Sequence, residues 1–62
     1  MNSAHASLLQ WLQENPGNSV VVRSPSKQQP HWFIWRINRN YAEGKGPSYE
    51  AACYDLLQQL KR

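Results

Sequence analysis

Apolar side chains recur along this chain with two different periods, and the switches between them divide it into five segments. From Ala4 to Glu14 the spacing is helical: Leu8 and Leu12, with His5 or Trp11 beside them, form an inward stripe, while Gln10, Gln13 and Glu14 face water. Ser3 precedes this run as an N-cap whose hydroxyl can accept from a free N–H of the first turn. Asn15-Pro16-Gly17-Asn18 ends it, because proline disfavours the α conformation in Asn15 and Gly17 can take positive φ. Ser19-Val20-Val21-Val22-Arg23-Ser24, with three β-branched residues in succession, predicts the first strand. The polar run from Ser24 to Pro30, bracketed by prolines and without an apolar anchor, predicts an exposed loop.

From His31 to Arg39 the period is two. Phe33, Trp35 and Ile37 fall on one side of this central strand; Trp32, Ile34, Arg36 and Asn38 fall on the other. The first set is unbroken by charge and is expected beneath the helices. That leaves Trp32, Ile34 and Arg36 on an open sheet face, where an exposed large aromatic beside arginine marks an interaction surface. Asn38-Arg39-Asn40 suits a hairpin turn, since Asn tolerates positive φ. Tyr41 to Gly46 returns as a short edge strand weakened by its glycines. Helical spacing then resumes with Tyr49, Ala52, Cys53, Leu56, Leu57 and Leu60, introduced by Ser48 as N-cap and Glu50 in the first turn. Lys61 and Arg62 close that helix with the charge its dipole favours. The expected architecture is a single α+β domain over residues 1–62, α-β-β-β-α: a three-stranded antiparallel sheet with both helices packed on one face.

Composition narrows the sources of stability. A chain of 62 residues has room for one core, and at this size only about 60 % of the unfolded surface is buried. Cys53 is the single cysteine and cannot close an internal disulfide, and no Cys/His cluster has metal-ligand spacing, so no cofactor or metal is expected. Three Trp, three Tyr and one Phe supply bulk for the core, and self-association is the other route. With a free cysteine, no signal peptide and no apolar run of membrane-spanning length, a reducing cytoplasm is the expected location and no membrane partner is expected.

The formal net charge of +3 is unevenly spread. Between residues 19 and 46 stand Arg23, Lys27, Arg36, Arg39 and Lys45 against Glu43 alone, whereas the flanking helical segments are neutral or acidic. Positive charge therefore lies on the sheet and its loops, as in a protein whose sheet side meets an anion. Catalysis is not expected. His5 and His31 fall in different elements, neither beside a Cys or a carboxylate, and Cys53 lies on the core stripe. Gly44-Lys45-Gly46-Pro47-Ser48 looks loosely like a phosphate-cradling loop but lacks the spacing and the Lys-Ser/Thr pair of a P-loop. A glycine-bearing turn into a Ser-capped helix explains it better, with Lys45 free to hold one phosphate.

The expected function is a non-enzymatic binding module for nucleic acid, DNA or RNA. Arg23, Lys27, Trp32, Arg36, Arg39 and Lys45 are its expected contacts, with Ile34 on the same face, combining base stacking with phosphate pairing. The rival is a protein-binding adaptor or inhibitor that seats Trp32, Ile34 and Arg36 as anchors on an acidic protein surface. A homodimer pairing these faces is the third reading.

Leu8-Leu9 in the first helix, a strand ending in Trp35-Arg36-Ile37-Asn38, and Ala42-Glu43-Gly44-Lys45-Gly46 running into an Ala-containing last helix together resemble the double-stranded RNA-binding domain. The resemblance covers most of the chain in layout and about residues 36–57 in motif. It implies RNA as the partner. In that family a lysine cluster opens the last helix and clamps phosphates across the major groove; here those positions hold Pro47, Ser48, Tyr49 and Glu50, with Lys45 alone nearby. A sheet followed by Gly46-Pro47-Ser48-Tyr49-Glu50-Ala51-Ala52 is also similar to small antitoxins of the HicB kind and to arm-binding domains of phage integrases. Compact size and high Trp content would suit a phage or mobile-element accessory protein.

Overall fold

A computed structural model describes residues 3–61. In chain order the elements are α1 (Ala4–Glu14), β1 (Val20–Arg23), β2 (Trp32–Arg36), β3 (Ala42–Gly46) and α2 (Tyr49–Leu60). β2 pairs antiparallel with β1 on one side and β3 on the other, a meander in sequence order. The α-β-β-β-α expectation holds, with shorter strands: β2 stops at Arg36, and Ile37 to Arg39 belong to the loop.

Local chemistry sets the element ends. Ser3 Oγ accepts from the Ala6 N–H at 3.0 Å, and Ser48 Oγ from the Ala51 N–H at 3.1 Å, so both expected N-caps are in place. Asn15 Nδ2 donates to the Trp11 carbonyl at 2.8 Å, satisfying one of the acceptors left free where α1 stops. Gly17 then turns the chain at φ +93°, a conformation few other residues adopt. Asn38 ties this turn to the β2–β3 loop: its Nδ2 donates to the Gly17 carbonyl at 2.6 Å, and its Oδ1 accepts from the Ser19 N–H at 2.7 Å.

α2 lies directly on β3 and β2, and α1 packs alongside α2. The buried cluster joins Leu8 of α1, Ile34 and Ala42 of the sheet, and Ala52, Cys53, Leu56 and Leu57 of α2; Trp11, Leu12, Val20, Trp32, Tyr49 and Leu60 pack around it. Residues directly opposite one another in an antiparallel pair share a face. The register sets Val22, Ile34 and Gly44 in one row and Val20, Arg36 and Ala42 in another, on the helix side.

The expected assignment of the two sheet faces is therefore inverted. Ile34 is 0 % exposed in the core, and Trp32 meets the Tyr49 ring of α2 edge-on at 5.5 Å. The cause lies on β3. Ala42, Gly44 and Gly46 present almost no side chain to α2, and a Cβ at Gly44 would collide with the Ala52 carbonyl oxygen and come within 2.5 Å of the Leu56 nitrogen. The backbone of α2 rests on the strand at that point, and Ile34, opposite Gly44, fills the space beside it. Arg36 joins this face without breaking the core because it ends β2, where its Nε donates to the Asn40 carbonyl at 2.7 Å.

Candidate nucleic-acid interface

With the helices on one side, the other side of the sheet carries Val21 and Arg23 of β1, Phe33 and Trp35 of β2, and Glu43 and Lys45 of β3. Register arranges these as two cross-strand rows. Arg23, Phe33 and Lys45 form one, a phenyl ring between two cations; Val21, Trp35 and Glu43 form the other. Phe33 and Trp35, two residues apart on one strand, stack with centroids 5.5 Å apart and planes 15° from parallel. Neither belongs to the buried cluster.

The Trp35 row is anchored by charge. The Trp35 indole N–H donates to Glu43 Oε1 at 2.7 Å, and the Tyr41 hydroxyl donates to the same oxygen at 3.3 Å. Loss of hydration, followed by the neighbouring Glu43 carboxylate, holds the Tyr41 phenol above its ordinary 10.0. Ile37 and Tyr41, 58 % and 70 % exposed, extend the apolar surface beyond the strand ends.

The seven residues expected at the interface do not all reach it. Arg23 and Lys45 flank Phe33 on the open face. Lys27 stands exposed in the loop that leaves β1. Trp32 and Ile34 are turned under α2, so the rings on the open face are those of Phe33 and Trp35. Arg36 is on the helix side and bonded to Asn40, and the Arg39 guanidinium lies over Gly17 at the α1–β1 turn. The signal for Phe33 and Trp35 was present in the alternation of small and large residues on β3, which fixes the facing of β2 through the register.

Other candidate chemistry is structural. Gly44 to Gly46 belongs to β3, and Ser48 caps α2. The buried Cys53 thiol is pushed up by burial, partly offset by the neighbouring Tyr49, and belongs to the hydrophobic core. His5 meets Tyr49 edge-on at 5.1 Å. A shallow groove between α1 and α2 holds one carboxylate, Glu50, which accepts from the Ala4 and His5 amides. Among the described residues no group of His, Cys, Asp and Glu could hold a metal ion, and no helix is long and apolar enough to cross a membrane. A scan against protein-family models and searches of curated proteins and solved structures find no match to the chain.

Proposed function

We propose that this chain is a non-enzymatic module that binds single-stranded nucleic acid across the open face of its sheet. One observation carries the reading: the row Arg23–Phe33–Lys45, beside the stacked Trp35. Rings on a sheet surface stack on splayed bases, and cations at their flanks pair with the phosphates between those bases. Stacking contributes about 1–3 kcal/mol per base, so two rings dominate the affinity and the cations set its salt dependence. Lys27, in the loop after Arg23, extends the positive rim. A single strand fits better than a duplex, whose bases are already stacked on one another. In this reading the likeness to the double-stranded RNA-binding domain stops at layout. α2 carries no Lys or Arg from Tyr49 to Leu60, and its first turn presents Glu50.

The test is fluorescence anisotropy with one labelled oligonucleotide, offered as single-stranded DNA, single-stranded RNA and duplex, at low and moderate salt. Single strands should bind more tightly than the duplex, with an affinity that falls as salt rises. Phe33→Ala and Trp35→Ala should each weaken binding about tenfold, the loss of one stacked base, with an unchanged circular dichroism spectrum. Absence of binding to every probe at low salt discards the proposal. The exposed Ile37 and Tyr41 favour a second reading, an acidic protein surface docked on the same face, which would change little with salt.

A further inference from the structure

The two edges of the sheet are guarded differently. On β3 the Lys45 N–H points away from β2 and donates to Asp55 Oδ2 of α2 at 3.0 Å, so an incoming strand would have to displace that carboxylate. Among the described residues β1 has no such guard. The Ile37 N–H donates to the Ser19 carbonyl at 3.2 Å, and with the β1–β2 register this makes Ser19, Val21 and Arg23 the residues bonded toward β2. Val20 and Val22 therefore turn their N–H and C=O groups outward. Val21 and Val22 are 43 % and 44 % exposed. Edge strands are ordinarily blunted by Lys, Pro, a bulge or a covering element; Val20 to Val22 carry no charge and no proline.

We infer that β1 is a pairing edge and that its occupant is β1 of a second copy, joined antiparallel about a two-fold axis through Val21. The register follows from geometry. In a continuous sheet, open-face residues must lie opposite open-face residues, so the axis passes through a residue and not between two. Centring on Val21 sets Val20 opposite Val22 of the second copy, and their outward donors and acceptors match reciprocally. Centring on Val22 would instead rely on Ser24, which lies outside β1. The chosen register also brings Arg23 opposite Ser19 of the second copy, so no like charges meet. A self-complementary edge closes as a dimer and adds apolar burial to a core limited by chain length. It would join two three-stranded sheets into one and set both Phe33–Trp35 pairs on a continuous surface. This goes beyond the nucleic-acid reading and is tested without nucleic acid.

Sedimentation equilibrium from micromolar to near-millimolar concentration should show the 7.2 kDa mass rising to twice that value. Val22→Pro deletes an outward N–H without touching the β1–β2 ladder, and should stay monomeric with an unchanged circular dichroism spectrum. Val21→Lys places two like charges opposite each other on the axis and should also stay monomeric. A wild-type chain monomeric throughout overturns the inference, as does a dimer that survives either folded variant. If Val22→Pro does not fold, Val21→Lys, at a solvent-exposed position, decides alone.

Discussion

Trp35 and Glu43 face each other across the β2–β3 pair, joined by an indole N–H donated to a carboxylate oxygen at 2.7 Å. That oxygen also takes the Tyr41 hydroxyl, so a single side chain orients two rings and is the one acid among the strand residues of the open face. Glu43→Gln keeps an acceptor for both donors and removes the charge that repels phosphate. Single-strand affinity should rise by about threefold to tenfold at low salt and converge with wild type at high salt, as a screened repulsion requires. Anisotropy titrations at two salt concentrations measure this. An affinity unchanged at low salt would mean that no phosphate passes near the Trp35 row.

Gly44 is where α2 touches the sheet. A methyl group there meets backbone atoms of Ala52 and Leu56, which cannot swing aside as a flexible side chain can. Gly44→Ala should therefore destabilise the fold by about 1–3 kcal/mol, in the range of overpacked cores. Urea denaturation followed by circular dichroism gives the figure. A shift below about 0.5 kcal/mol, typical of surface substitutions, would show that α2 can lift from β3 freely.

The α1 and α2 segments and their caps were legible because helical spacing and Ser hydroxyls act locally; Leu8, Cys53 and Leu56 are buried as the stripes indicate. The facing of β2 was not legible within β2. Trp32, Ile34, Phe33 and Trp35 are all large and apolar, so alternation there identifies two sides without ranking them. Arg36 appeared to break the charge-free rule for a buried face, yet at a strand end its guanidinium can leave the core and bond to Asn40. The deciding information sat ten residues downstream of Ile34, at Gly44, and became readable only through the cross-strand register. Glycines that weaken an isolated strand permit the close approach that this helix requires. Arg23 and Lys45 were expected contacts on the strength of charge alone, and the register sets both beside Phe33 on the open face.

Two buried-side groups make stability depend on alkaline pH. Burial is the main cause holding the Cys53 thiol above its ordinary 9.0 and the Tyr49 phenol above its ordinary 10.0. The folded chain thus keeps these protons more tightly than the unfolded chain. Their stabilising contribution is complete below pH 9 and is lost as pH climbs through the raised values. Urea midpoints should be level up to that pH and decline above it, and Cys53→Ala should flatten the onset of the decline. A decline of the same slope in Cys53→Ala would assign the effect to other groups.

Glu50 belongs to the first turn of α2, yet its carboxylate serves α1. It accepts from the amides of Ala4 and His5, while Ser3 Oγ takes the amide of Ala6, so the free donors at the start of α1 are shared between two side chains on different elements. Because α1 packs on α2 and not directly on the strands, this tie fixes where α1 begins relative to the rest of the fold. Negative charge at a helix N-terminus is favoured by the dipole, and the position is exposed, so the contribution is that of a cap: Glu50→Ala should destabilise by about 0.5–2 kcal/mol. Glu50→Gln, which keeps an acceptor without the charge, should recover part of that loss, and the part it fails to recover should shrink with added salt. Ser3→Ala removes a different donor's partner, so the double variant should be close to additive. Hydrogen exchange locates the effect: Ala4, His5 and Ala6 amides should exchange faster in Glu50→Ala while those of Cys53 to Leu57 keep their protection. Equal acceleration in both helices would instead mean that Glu50 supports α2 itself.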